Sequence, residues 1–447
     1  SSIMYDTTAF NFTMMYGLPA VTVFENIDKD LIEWRPSSSD IEINDNAVMW
    51  ATNGDDDKSV AFAARLLEED IKVRIIDKES MLSGHELSRG SVVVIAMDNP
   101  ENKNLTIQIK EIASDLEISV HSIESGFGSE ELPDWGGRHF KLLKKPQIAI
   151  FGHSEYNSYD VGVSWWSLDH HLGIRHSLIN GSFAGYADLR RYNTIILPSG
   201  YPDMNNSELD NLSKWVRNGG TLIAHNRSTN FLSSNDGLGN AKQIQDIFED
   251  VNDYKFDLMR EIMALDDQIN KEKINSNSVD NLINYPWESI KIEMSTEELE
   301  MRDKWQSIFM PSGSFVAGRT DKKHWLTFGS PDILPVLYSN YPVLMTGDNV
   351  EAAVRIGALV PNLNSNNAQQ INWSLIPSEK NIKVRMSGLV WPEAAQRIAN
   401  SAYVTREKIG KGQIILFSGE PNFRGSTRGT NRIWLNAVVY GSGLGTN

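Results

Sequence analysis

Two short polar runs place chemically useful side chains at positions where this chain could bind or turn over a ligand. His153-Ser154-Glu155 follows an apolar run ending at Phe151, and His225-Asn226-Arg227-Ser228 follows one ending at Ala224. Both read as carboxyl ends of parallel strands, beyond which the ligands of open α/β sheets bind. A histidine beside a carboxylate can exchange protons or orient a ligand, so His153, Glu155, His225 and Asn226 form the candidate ligand-binding set. The plainer reading, that these groups satisfy loop backbone, is preferred because neither a nucleophile nor a metal set accompanies them.

Other clusters are weaker. His121-Ser122-Ile123-Glu124 has a zinc-peptidase-like His-x-x-Glu spacing, but it falls on an expected strand, where His121 and Glu124 point to opposite faces. His170 and His171 sit at adjacent helical positions and diverge by roughly 100 degrees, too far to share a metal. Asp55-Asp56-Asp57 lacks the spacing and glycine of a calcium loop and suits a helix start. There is no Gly-x-Ser-x-Gly elbow, Walker loop or dinucleotide glycine pattern. Trp165, Trp166, Trp215, Trp325, Trp373, Trp391 and Trp434 could stack on sugars, yet most lie among apolar neighbours, and core packing is the expectation. No catalytic or metal-binding residue is assigned.

The elements that must position these groups alternate between short apolar strands and helices. Strands are expected at Ala47–Ala51, Lys72–Ile76, Ser91–Ala96 and Ile118–Ile123, with helices over Ser59–Leu67 and Leu105–Leu116. After the glycine-rich stretch Gly126 to Gly137 the pattern restarts: strands Gln147–Phe151, Thr194–Pro198 and Thr221–Ala224, and helices Ser164–Leu172 and Ser207–Val216, the latter capped by Gly219-Gly220. A charged helical stretch, Asp246–Lys273, follows. Ser295-Thr296-Glu297-Glu298 then has capping-box spacing ahead of a helix running to about Ile308. This region reads as an insertion packed on its own sheet, the alternative being a partner or dimer surface. Strands return at Ser314–Ala317, Val336–Tyr338, Val354–Val360, Ala402–Arg406 and Gln413–Ser418, and a helix spans Asn431–Val439. Residues 1 to 45 show no helix period, and Asn362–Asn372 reads as an exposed loop. The fold class is α/β: two domains with mostly parallel sheets covered by helices. Residues 1–143 form the first (flavodoxin-like, with an extended N-terminal segment). Residues 146–447 form the second, with the helical insertion at about 241–309.

The chain has 447 residues and a net charge of -16, which argues against nucleic acid as a partner. No run is long and apolar enough to span a bilayer. The absence of cysteine removes disulfides, thiolate metal sites and a cysteine nucleophile together. The sequence begins Ser1-Ser2-Ile3 and reads as a fragment whose targeting signal would lie upstream.

Three stretches carry a family resemblance. They are Tyr5-Asp6-Thr7-Thr8-Ala9-Phe10 through Gly17, the run Gly137-Arg138-His139-Phe140 to Pro146, and a closing signature. That signature comprises Ser387-Gly388-Leu389-Val390-Trp391-Pro392-Glu393, Gly410-Lys411-Gly412, Pro421-Asn422-Phe423-Arg424-Gly425 and Arg428-Gly429-Thr430-Asn431-Arg432. Together they resemble the non-catalytic carboxyl-terminal region of bacterial zinc carboxypeptidase-like proteins of the carboxypeptidase A superfamily. The resemblance implies a class I glutamine amidotransferase-like fold for the second half, with Ala224-His225 where true amidotransferases carry a cysteine on a sharp turn. It also implies an extracellular or periplasmic setting and an upstream peptidase domain as partner, with zinc held there and no cofactor here. Its role would be substrate positioning, stability or assembly. The alternatives are a weak hydrolase or ligand site at His225, His153 and Glu155, or a carbohydrate- or peptide-binding module. Arg424, Arg428 and Arg432 read as braces at least as well as ligand contacts.

Overall fold

A computed structural model describes residues 11–21, 23–25, 41, 43–128, 132–153, 155–181, 188–233, 238–266, 294–362, 369–371, 373–377 and 380–446. The first sheet contains β1 (Met49–Thr52), β2 (Val73–Ile76), β3 (Val92–Ile95), β4 (His121–Ile123) and β5 (Phe140–Leu142), ordered β4-β1-β3-β2-β5. Helices α1 (Ser59–Glu68) and α2 (Leu105–Leu116) pack on each other beside it. Apolar Val60, Ala63, Ala64 and Leu67 form the buried stripe of α1, as their helical spacing requires.

The expected parallel pairing fails in this sheet: every pairing among β1 to β5 is antiparallel. The reason lies between β2 and β3. Residues 77–91 hold a small hairpin, Ser80–Leu82 with His85–Leu87, and no helix. A parallel neighbour needs a crossover connection of a dozen or more residues, usually helical. Without one, the chain folds back and β3 enters between β1 and β2 in the opposite sense. The β-branched run Val92–Ile95 is fully buried all the same, so its composition looked like that of a parallel core strand.

The second sheet meets the α/β expectation over about half its width. Its main strands are β6 (Ile148–Gly152), β7 (His176–Asn180), β8 (Thr194–Leu197), β9 (Thr221–His225), β10 (Ser314–Thr320), β11 (Ile333–Tyr338), β12 (Val350–Ile356), β13 (Ala402–Ile409) and β14 (Gly412–Phe417). Their order is β11-β10-β12-β13-β14-β9-β8-β6-β7. From β7 through β14 the neighbours run parallel, and from β14 outward to β11 they run antiparallel. The turn between β13 and β14 is the Gly410-Lys411 pair of the closing signature. Gly410 has φ +61° there, and a Cβ on Gly412 would lie 2.0 Å from the Val216 carbonyl oxygen.

Helices α3 (Ser158–Trp166), α4 (Asn206–Arg217), α5 (Arg227–Leu232), α6 (Val251–Asp266), α7 (Thr296–Ser307) and α8 (Arg428–Leu444) complete the frame used below. The helix expected over 164–172 starts earlier, at the Asn157 cap, and gives way to one π-helical stretch over 167–172. The capping box at Ser295 and Glu298 is formed. The expected helix over Asp246–Lys273 is seen from Val251 to Asp266, with 267–273 outside the described residues. Both inserted helices engage their own sheet's side of the molecule: Glu261 pairs bidentately with Arg355 of β12, and Asp303 pairs with Arg397 of the short helix Pro392–Ile398. Two local expectations are corrected. Phe12–Tyr16 is a short helix capped by Asn11, and Gln369–Ile371 pairs with Ser374–Ile376 instead of looping freely. No helix among the described residues is long and apolar enough to cross a membrane.

Helix α8 is buried along nearly its whole length and touches both sheets. Arg432, one of the closing-signature arginines, is 2% exposed. Its guanidinium donates to the Gly54 and Asp56 carbonyls at 2.8 Å each and to Ser59 Oγ at 3.0 Å, so it grips the turn from β1 into α1. Asn436, one turn on, donates to the carbonyls of Leu326 and Phe328 at 2.9 and 2.8 Å. Arg432→Ala removes a charged donor from the buried Gly54 carbonyl and the part-buried Asp56 carbonyl, and we expect a loss of about 3 kcal/mol in urea denaturation. A loss below about 1 kcal/mol would contradict the bracing role.

Candidate functional site

The parallel half of the second sheet has its reversal of strand order at β6: the chain steps to β7 on one side and then crosses to β8 on the other. The crevice beyond the ends of β6 and β8 is therefore the expected binding position. The loop after β6 carries His153 and Glu155. It is knitted to the loop after β8 through Asn157 N–H to the Ser199 carbonyl at 2.7 Å and Tyr201 N–H to the Glu155 carbonyl at 2.9 Å. His153 itself is exposed and adopts φ +90°. The loop after β8 is in turn held by Ser228 Oγ, which donates to the Pro198 carbonyl at 2.5 Å. Backbone contacts thus bring both predicted strand ends together.

His225 is the last residue of β9, not a turn residue, and it is 1% exposed. The sharp turn expected at Ala224-His225 falls one residue later. Asn226 has φ 45° and ψ −119° between β9 and α5, backbone geometry that costs a non-glycine residue about 1–3 kcal/mol. Its surroundings hold it there: its N–H donates to the Phe417 carbonyl at 2.8 Å, and its carbonyl accepts from Thr229 N–H at 3.0 Å and Thr229 Oγ at 2.5 Å. Its side chain bonds the Glu420 carboxylate. A strand, a strained residue and a helix make the local shape that presents a nucleophile, but an amide occupies it.

The groups around His225 come from outside the two strand-end runs. Trp434 of α8 donates from Nε1 to His225 Nε2 at 2.7 Å. That bond makes Nε2 the acceptor and leaves the ring proton on Nδ1. Burial pushes the imidazole pKa down to about 3, so the ring is neutral at physiological pH. Nδ1 faces Asp160 Oδ2 at 3.9 Å, beyond direct hydrogen bonding, and has no partner among the described residues. Asp160 accepts from Ser199 N–H at 2.7 Å. Burial first, and the nearby Glu420 charge second, hold its carboxyl pKa above the usual range against that hydrogen bond. Glu420 is raised too, by burial, with the Asn226 side chain and Arg424 opposing. Asp160, Ser164, Ser167, His225, Asn422 and Trp434 line a small pocket of about 10 Å³, room for one water-sized molecule and no substrate.

Of the four predicted residues, then, His225 and Asn226 join a buried polar network, while His153 and Glu155 sit in the loop above. Asp160 and Glu420 were missed, and Asn422 and Trp434, named in the closing signature and among the tryptophans, were not assigned to this site. Asp160 fell in an expected loop because the helix was placed too late. Glu420 and Asn422 follow β14, a third parallel strand end, and that position was the available signal. The remaining motifs do not converge. His121 stacks on His85 with ring centroids 4.5 Å apart, and Glu124 accepts from Asn44 Nδ2 at 3.5 Å. His171 contacts Arg428, whose guanidinium also lies 5.4 Å from the centre of the Trp166 ring. Among the described residues no three histidine, aspartate or glutamate side chains gather as a metal set. Trp215, Trp373 and Trp434 are buried, whereas Trp165 and Trp391 are exposed.

The raised Asp160 pKa fixes a pH signature. A native carboxyl that holds its proton more tightly than the unfolded one contributes stability at low pH. That stability is lost as pH rises from the unfolded-state value toward the native one. Asp160→Asn removes the titration, so its stability relative to the unaltered protein should rise by at least ~1 kcal/mol between pH 5 and pH 8 in urea denaturation. An identical difference at both pH values would contradict the assignment.

No protein-family model matches the sequence, and no curated protein matches it. Solved structures similar to the chain include a ThuA-like protein from Bacteroides uniformis, with 11% identity and a TM-score of 0.33 over 65% of this chain and 89% of that one. A ThuA-like protein from Parabacteroides merdae gives 12% identity and a TM-score of 0.32 over 68% and 91%. A beta-galactosidase from Bacillus circulans gives 10% identity and a TM-score of 0.34 over 76% of this chain and 35% of that one. Overlaps at these scores assign neither activity nor substrate to this chain.

Proposed function

We propose that the chain is a non-catalytic α/β scaffold serving a larger protein. On the strength of the sequence resemblance, that protein is a secreted or periplasmic zinc carboxypeptidase-like protein whose peptidase domain lies upstream and holds the zinc. One observation carries the non-catalytic reading. The histidine at the sheet's ligand edge is buried and neutral, and its Nε2 is already used by Trp434 Nε1–H. A general acid or base needs a pKa near the working pH and reach to a substrate proton, and His225 has neither. The strained residue beside it is an amide, and the nearest hydroxyl on α5, Ser228 Oγ, is committed to Pro198. The chain would then act through its surface and its rigidity, positioning substrate, stabilising the peptidase domain or supporting assembly.

A weak hydrolase at the same edge is the second reading. The pair of buried Asp160 and half-buried Glu420 favours it, since a carboxyl with a raised pKa can donate a proton.

The isolated chain, assayed with chromogenic peptide, ester and glycoside substrates, should give no turnover above blank. Turnover abolished by Asp160→Asn would move the assignment to the hydrolase reading. In the full-length protein, deleting this region should impair folding, peptidase activity or substrate choice. A deletion that leaves all three unchanged would contradict the accessory role.

A further inference from the structure

A cleft of about 1270 Å³ lies away from the strand-end network, between α6 and the antiparallel edge of the second sheet. At its floor two guanidiniums share one residue. Arg355 Nη1 donates to the Asn400 carbonyl at 2.9 Å, and Arg319 Nη2 donates to Asn400 Oδ1 at 3.2 Å. Glu261 neutralises Arg355 through two 2.6 Å hydrogen bonds. Arg319 has no carboxylate of its own among the described residues; besides Asn400 it donates only to the Gly357 carbonyl, at 2.8 Å. Two of its five N–H donors are thus used, and the side chain lines the cleft. Burial, followed by the charge on Arg355, lowers its pKa to about 10 against the opposing pull of Glu261, whose carboxylate is already held by Arg355.

An uncompensated guanidinium at a cleft floor calls for an anion, and its planar fork matches a carboxylate. Carboxylates outnumber cations on the cleft walls: Asp250, Asp253, Asp257, Asp321 and Asp348 line it, with Lys242, Lys322 and Lys323 among them. Such a rim repels a dianion and attracts an ammonium group. We propose that this cleft binds a zwitterionic small molecule, a free α-amino acid or a short peptide, with its carboxylate on Arg319 and its ammonium toward the acidic rim. The site stands independently of which protein the chain serves.

Isothermal titration of the unaltered chain with alanine, Ala-Ala, Ala-Ala amide, acetate and inorganic phosphate tests this. Alanine or Ala-Ala should bind saturably, with the amide and acetate at least about tenfold weaker, the factor set by losing one charged pairing. Which of alanine and Ala-Ala binds tighter separates amino acid from peptide. Arg319→Gln, checked for folding by circular dichroism, should weaken binding by about tenfold or more. The proposal is overturned if neither zwitterion binds saturably, if the amide binds as well as the acid, or if phosphate binds tighter than both zwitterions. It is overturned equally if folded Arg319→Gln keeps full affinity. Should Arg319→Gln fail to fold, the acid-against-amide comparison on the unaltered protein decides.

Discussion

The hydrogen bond from Trp434 Nε1 to His225 Nε2 ties the last helix to the carboxyl edge of the parallel strands, and much else depends on it. It sets the histidine tautomer, aims Nδ1 at Asp160 and closes the place where an open sheet would otherwise take a ligand. Because both rings are buried, leaving either partner alone would cost a desolvated polar group, about 1–3 kcal/mol. The same helix carries Arg432 to the first sheet and Asn436 to the carbonyls near Phe328. The closing signature is therefore a clamp, in which Arg432 is spent on backbone carbonyls and Arg428 contacts the His171 ring.

That use of polar groups separates the two interesting regions of the molecule. At the strand ends, Asp160, His225 and Asn422 face other protein groups in a space of about 10 Å³. At the α6 cleft, by contrast, Arg319 opens onto a large volume with most of its donors unspent. A fold that offers its usual ligand position to internal packing can still bind elsewhere, and scaffold and binding module are then compatible descriptions of one chain.

How much of this could be read from the residues varies with the interaction. The parallel half of the second sheet was legible: Leu222–Ala224 is an apolar run opened by a β-branched Thr221, and Gly219-Gly220 marks the helix end before it. Strand direction in the first sheet was not. Val92–Ile95 looks the same whether its neighbour runs with it or against it, and only the helix-free 77–91 connection distinguishes the cases. The turn at Asn226 was misplaced by one residue because a histidine can end a strand or begin a loop, and only the pairing of His225 with Phe417 decides. The partners of Arg432 and His225 were invisible for a simpler reason. They lie hundreds of residues away in sequence, and no local pattern encodes which carbonyl or ring a buried side chain will meet.

A strand end without catalytic chemistry requires His225 to be a structural, neutral imidazole. The most direct test is the ring ¹⁵N spectrum of protein labelled at its nine histidines, with the His225 signals identified by their loss in His225→Gln. We expect the Nδ1–H tautomer with no titration from pH 8 down to pH 5, consistent with a pKa pushed down to about 3. A ring that titrates between pH 6 and pH 7.5, near the free-histidine value, or that carries its proton on Nε2, would contradict the claim that this edge of the sheet is closed to chemistry.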